Sequence, residues 1–165
     1  MITDKKAGDF VISRDFPLPR ERVWKAWSDA AELRQWWGPK GCVLDLLRFE
    51  FKAGGLAHYA MRFDGAPPMW GRFNYRDISA PERLVWLNSF ANEHGGIARA
   101  PFSEDCPLEI ENEVTFTGHG GLTTITLRAR PFGATAAEQA YFEQLHESLA
   151  EGYGGTFDQL SAHLA

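Results

Sequence analysis

Residues 122–165 read LTTITLRARPFGATAAEQAYFEQLHESLAEGYGGTFDQLSAHLA, and a change of rhythm inside them decides the fold. LTTITLRAR alternates apolar and polar residues, the period of a half-buried strand, and the preceding Gly118-His119-Gly120-Gly121 makes it the return limb of a hairpin. After Pro131 the period becomes helical for about thirty residues. Thr135 and Glu138 open that helix as a capping box, and Phe142, Leu145, Leu149, Thr156 and Leu160 step along one side of it. Inside it stands Gly152-Tyr153-Gly154-Gly155, which costs about 1 kcal/mol per helical glycine relative to alanine. Such a cost is expected to be offset by close approach of the backbone to another element, or by a bend that follows a curved sheet.

Working back toward the N-terminus, the same two periods alternate. Phe10, Ile12 and Phe16 share one side of a first strand with Arg14, which is expected to be paired at an edge. Pro17 and Pro19 end it. The stretch PRERVWKAWSDAAELRQWW carries apolar residues at helical spacing, Ser28 or Asp29 can cap a second short helix, and Gly38-Pro39 stops it. From Gly41 to Arg130 the period is two, broken by Gly54-Gly55, by Asp64–Pro68 and by Pro81, so the segment reads as a meander of antiparallel strands. In LEIENEVTF, Leu108, Ile110, Val114 and Phe116 share one face, and Glu109, Glu111 and Glu113 are expected together on a wet one. The order is one strand, two short helices, six strands and a long helix. An α+β fold follows: a curved seven-stranded antiparallel sheet that buries the helix stripe on its concave face. A curved sheet and a straight helix do not fill the space between them, so a cavity is expected there.

The chain has 165 residues, of which 44% are hydrophobic and 24% charged, with a formal net charge of −5. That length suits a single domain spanning residues 1–165. The negative charge and the lack of any Lys/Arg-rich run argue against nucleic acid and anionic membrane surfaces as partners. Residues 1–16 hold no apolar stretch of signal-peptide length and nothing later approaches a membrane span, which leads to a cytoplasmic expectation. Cys42 and Cys106 lie far apart without CxxC spacing and read as reduced packing thiols. The five histidines form no HxH or HExxH pattern, and Gly54-Gly55 lacks the Lys-Ser/Thr of a phosphate loop. No metal and no cofactor is expected.

Five segments, RDFPLPRERVWKAWSD, LRQWWGPKG, FKAGGLAHYAMR, APERLVWLNSF and EGYGGTFDQLSAHLA, resemble in order the START-like (SRPBCC) superfamily with its Bet-v-type helix-grip fold. Within it they are most similar to the group homologous to the C-terminal domain of the heat-shock protein 90 ATPase activator. The resemblance implies a sheet wrapped around the last helix with a tunnel or cavity between them. It also implies an aromatic residue where this chain has Ala57, a tryptophan at Cys106 and a histidine at Ala100, so the smaller side chains here imply a roomier cavity or rim.

Trp36 and Trp37 are neighbours on a helix and point about 100° apart; Trp36 is expected as a core anchor and Trp37 at the cavity mouth. Ala57, Tyr59, Met61, Phe73 and Tyr75 alternate on adjacent strands and form the expected inward set, joined by Asn88, whose amide needs a partner when buried. Asn112 shares that demand. The loop from Ala91 to Pro107 is longer than a hairpin needs, with Phe102 and Arg99 as its contact candidates. Phe142, Leu145 and Leu149 of the last helix complete the expected ligand-binding set. His58 alternates away from it and is expected to be exposed. The function these residues point to is binding of an apolar or amphipathic small molecule, with no catalytic constellation in view. An enzyme of the polyketide cyclase or dehydratase kind, working through Tyr59, Tyr75 or Asn88, is the alternative. A chaperone-associated module ranks third, because the relative that names the group has a further domain; a homodimer stays open.

Overall fold

The computed structural model describes residues 8–165; the reading of the N-terminal lysines as no leader lies outside them for residues 1–7. In chain order the elements are β1 Phe10–Phe16, α1 Arg20–Ser28, α2 Ala30–Trp36, β2 Val43–Phe49, β3 Leu56–Arg62, β4 Met69–Ser79, β5 Arg83–Ala91, β6 Ile97–Ala98, β7 Ile110–His119, β8 Leu122–Pro131, α3 Ala136–Gln144 and α4 His146–Leu164. All strands form one antiparallel sheet in the order β1-β8-β7-β5-β4-β3-β2, with the two-residue β6 added beside the end of β5. The architecture is the helix-grip arrangement expected, and β6 is its one extra strand, formed inside the long loop. Register shifts between Leu46 and Arg48 and between Tyr75 and Asp77 mark bulges that add to the bend of the sheet. At the β2–β3 turn only glycine fits position 55, because a Cβ there would lie 2.1 Å from the Glu50 carbonyl oxygen.

The concave face collects Phe10 and Phe16 of β1, Ile125 and Leu127 of β8, Val114 and Phe116 of β7, Trp86 of β5 and Phe73 of β4, all buried. Helices α1 and α4 close over them. Trp27 of α1 meets Trp36, Trp37 and Phe116 edge-on and Trp86 at a tilt, at ring separations of 4.7–6.0 Å, and each edge-on pair adds about 0.5–1.5 kcal/mol beyond its buried area. Asp29 caps α2 by accepting from the Glu32 amide at 3.2 Å, and Thr135 and Glu138 make the reciprocal capping box of α3.

The C-terminal helix differs from the single thirty-residue helix expected. It breaks at Leu145, whose amide turns back to the Phe142 carbonyl at 3.0 Å. The break lets the His146 ring pack against Phe10 and Phe142 while its Nε2 meets the Gly8 carbonyl at 2.9 Å. Crowding does not explain the glycine run either. A Cβ at Gly152, Gly154 or Gly155 would meet nothing within 4 Å; the close approach is by a side chain, since Arg14 reaches across to Asp158 at 2.9 Å and to the Gly154 carbonyl at 3.3 Å.

Two expectations about the outer face are also corrected. Glu113 is buried, held by Arg83 and by Arg128 at 2.6 Å, and Arg83 also pairs with Asp77. Long arginines on neighbouring strands lie across that face, so alternation alone does not make it wet. His58 is 7% exposed rather than free. Its ring stacks on Trp70 at 5.3 Å, and its Nε2 meets the Asn92 carbonyl at 3.1 Å, under the turn that leads into β6.

Candidate functional site

The end of α2 is where the site begins. Trp36 closes the helix and turns fully inward, its indole N–H donating to the Ala26 carbonyl at 3.0 Å. Trp37 is already extended (φ −71°, ψ 138°), so the backbone change at the helix end, as well as helical rotation, separates the two rings. Gly38 follows at φ +103°, a left-handed conformation that suits glycine, with the Cys42 sulfur 3.2 Å from where a Cβ would stand. From α4, Thr156 Oγ1 and Gln159 Nε2 donate to the Gly38 carbonyl at 3.1 and 2.6 Å, and Gln159 also reaches the Trp36 carbonyl at 3.1 Å. These bonds satisfy carbonyls that a helix end leaves open and hold Trp37 in place.

Beside Trp37 lies a cavity of about 230 Å³, open to solvent. Its floor is the sheet, through Tyr59 and Met61 of β3 and Asn88 of β5. One wall is Trp37, Gly38 and Pro39; the other is α4, through Ser148, Leu149, Gly152, Tyr153 and Thr156. The lining is predominantly apolar with few polar groups. Tyr153 joins the walls by stacking on Phe10 at 5.9 Å and meeting Trp37 edge-on at 6.2 Å. Gly152 opens the mouth, since its missing side chain would stand in empty space.

Besides the hydroxyls of Ser148 and Thr156, the polar groups of the lining are the two tyrosines and Asn88, and each tyrosine is paired with an asparagine. Tyr153 donates to Asn112 Oδ1 at 3.2 Å, and Asn112 Nδ2 donates to the Ile110 carbonyl at 3.2 Å. Tyr59 donates to Asn88 Oδ1 at 3.3 Å. Burial pushes both tyrosine hydroxyls above the ordinary phenol range. Both therefore stay neutral at physiological pH. Tyr59 can lie flat over β4 because position 71 is glycine; a Cβ there would come within 2.5 Å of its ring. The Cys42 thiol at the edge of this region is pushed up by burial, as is Cys106, which keeps both protonated and weakly nucleophilic.

Of the ligand-binding set read from the sequence, Trp37, Tyr59, Met61, Asn88 and Leu149 come together on this cavity. The others lie elsewhere. Phe73 and Tyr75 are buried in the sheet face, against Trp86 and Phe51, and Ala57 is enclosed between Phe49 and Phe73 of the flanking strands. Phe142 and Leu145 belong to α3 and the break after it, and Phe142 is wholly buried against His146. Phe102 stays 59% exposed, resting on Phe90 at 5.7 Å. Arg99 is engaged by Glu138 at 2.6 Å and by the Cys106 carbonyl, so it ties the long loop to α3. The cavity residues outside the ligand-binding set read from the sequence are Gly38, Pro39, Ser148, Gly152, Tyr153 and Thr156. Ser148, Gly152 and Thr156 are four apart, and Leu149 and Tyr153 likewise, so the helical period carried that signal through the glycines. Among the described residues no cluster of His, Cys, Asp and Glu has the arrangement of a metal site, and no helix is long and apolar enough to cross a membrane.

Comparison with known proteins places this geometry. Residues 17–165 match the family described as activator of Hsp90 ATPase homolog 1-like protein. A protein from Arthrobacter aurescens solved by NMR is 28% identical with a TM-score of 0.80, over 98% of this chain and 89% of its own. Crystal structures from Mycobacterium smegmatis (24% identity, TM-score 0.75, 95% and 90% covered) and Nitrosomonas europaea (20%, 0.76, 98% and 97%) share the fold. No curated protein matches the chain.

Proposed function

Since the chain belongs to the activator of Hsp90 ATPase homolog 1-like family, within a superfamily built around a sheet-and-helix cavity, we propose that it binds an apolar or amphipathic small molecule between Trp37, the β3–β5 floor and α4. The observation that carries this reading is the cavity of about 230 Å³ at that junction, which Trp37 at the end of α2, Tyr153 of α4 and Tyr59 of β3 frame without filling. Apolar clefts with a few placed polar groups are the usual form of a small-molecule site. A ligand there would remove Trp37, Tyr153, Met61 and Leu149 from water, and burial of apolar area stabilises a complex by roughly 25 cal/mol per Å².

A fluorescence titration of the tryptophans against lipids, polyketides and aromatic metabolites tests the reading. Saturable quenching or a spectral shift is expected for at least one class, and it should vanish in Gly152→Trp, whose indole would occupy the mouth. If no compound gives a saturable change, the reading fails. A change that survives Gly152→Trp undiminished would move the site elsewhere.

A further inference from the structure

Resting on the binding function proposed above, we propose that Asn88 is the specificity-determining residue of the cavity, and that the ligand it selects is uncharged and carries a hydrogen-bond acceptor such as a ketone oxygen. The two asparagines of the concave face are in opposite states. Asn112 is engaged at both ends: its oxygen accepts from Tyr153 and its nitrogen donates to the Ile110 carbonyl. Asn88 is half complete. Its oxygen accepts from Tyr59 at 3.3 Å, while its nitrogen has no protein partner among the described residues and the side chain lines the cavity.

The neighbours fix which end of the amide faces the ligand. The buried Tyr59 hydroxyl needs an acceptor for its hydrogen, and Asn88 Oδ1 supplies it at 3.3 Å. Were the amide reversed, its nitrogen would meet the tyrosine oxygen and the Tyr59 O–H would be left without this acceptor. The bond from Tyr59 to Asn88 Oδ1 therefore leaves the amide nitrogen as the open donor of a side chain that lines the cavity. A ligand oxygen completes it; a ligand without one leaves a desolvated N–H unpaired, which is how a polar group discriminates between otherwise similar molecules.

Charge is selected by the same walls. The lining consists of tryptophan, glycine, proline, tyrosine, methionine, asparagine, serine, leucine and threonine side chains, with both tyrosines held neutral by burial. A carboxylate or ammonium placed at Asn88 would be desolvated beside no opposite charge. Size follows from the cavity volume of about 230 Å³, which has room for a molecule of the fused two-ring class.

Three probes of one shape test this against the full-length protein by NMR titration, following the Asn88 side-chain amide: 2-acetylnaphthalene, 2-ethylnaphthalene and 2-naphthoate. The ketone is expected to bind about 5–10-fold more tightly than the hydrocarbon, the difference that one hydrogen bond makes, and at least about tenfold more tightly than the carboxylate, with a downfield shift of the Asn88 amide protons. In Asn88→Leu the ketone should fall to the hydrocarbon's affinity. Equal binding of ketone and hydrocarbon, or binding of the carboxylate as tight as the ketone's, overturns the inference while leaving the binding function standing. If none of the three perturbs any cavity resonance, the binding function fails and the inference with it. The comparison of probes on the unaltered protein decides the matter even where the variant does not fold.

Discussion

Replacing Gly152, Gly154 and Gly155 with alanine is expected to stabilise the protein, and at position 152 alone to weaken ligand binding. All three lie in the interior of α4, none has a positive φ, and a Cβ at each meets nothing within 4 Å. Alanine is favoured over glycine in a helix interior by about 0.8–1.0 kcal/mol, largely because it narrows the unfolded ensemble. With no shared partners the three add, giving about 2.5 kcal/mol. For a chain of this length that is roughly 5–10 °C in Tm. The bond from Arg14 is accepted by the Gly154 carbonyl and survives the change. Urea unfolding followed by circular dichroism should show a higher midpoint at unchanged slope. Only the Gly152 methyl enters the cavity, so Gly154→Ala and Gly155→Ala should bind as the parent does. A triple variant no more stable than the parent would refute the reasoning, and would mean that α4 needs its glycines to bend.

Three further outcomes are expected. Glu113→Ala removes the shared partner of Arg83 and Arg128 from a buried position and should cost about 3–5 kcal/mol in denaturant unfolding, where a change at an ordinary surface position stays within about 0.5 kcal/mol. Gly71→Ala drives a Cβ toward the Tyr59 ring, with a loss of about 1–3 kcal/mol and a shifted Tyr59 resonance. Glu138 has its carboxyl held below the usual range, chiefly by the hydrogen bond from Arg99 and then by the Thr135 amide. Its contribution is therefore present above the ordinary glutamate pKa of about 4.3 and is lost as pH falls through the lowered folded value. The stability difference between parent and Glu138→Gln should be constant near neutrality and shrink in acid; a difference that ignores pH would sink this assignment.

The fold was legible because its signals are periodic. Alternation along Phe10–Phe16, the capping box at Thr135 and the Gly38-Pro39 stop each reflect a local rule that the structure obeys. What was not legible depends on distance in space. Glu113 and His58 obey strand alternation and are nonetheless buried, because covering groups arrive from elsewhere in the chain: Arg83 thirty residues before Glu113, and the Asn92–Gly96 turn above His58. The break at Leu145 left no mark in composition, since leucine is a good helix former; it exists because His146 packs under Phe10. For the same reason Phe142 and Leu145, in register with Leu149 on an unbroken helix, end on a different part of the sheet.

Asn88 and Asn112 show where sequence reasoning about a site stops. Both sit on the concave face, both follow the apolar alternation of their strands, and both meet a tyrosine hydroxyl through the amide oxygen. Only the second half of each amide differs. Asn112 finds a carbonyl two residues away on its own strand, which makes it part of the scaffold. Asn88 pairs across the sheet with Phe73 on one side and Ile110 on the other, neither of which brings a side-chain acceptor, and above it the helix offers Gly152 in place of a side chain. A donor left open beneath a glycine is a property of two elements together, sixty-four positions apart in the chain. A polar side chain or a bulkier residue at position 152 would close that opening from above, and this is why the glycine in α4 and the amide in β5 are best tested as a pair: Gly152→Gln should offer its own amide oxygen to Asn88 and abolish the preference for a ketone, whereas Gly155→Gln, facing away from the cavity, should leave it intact.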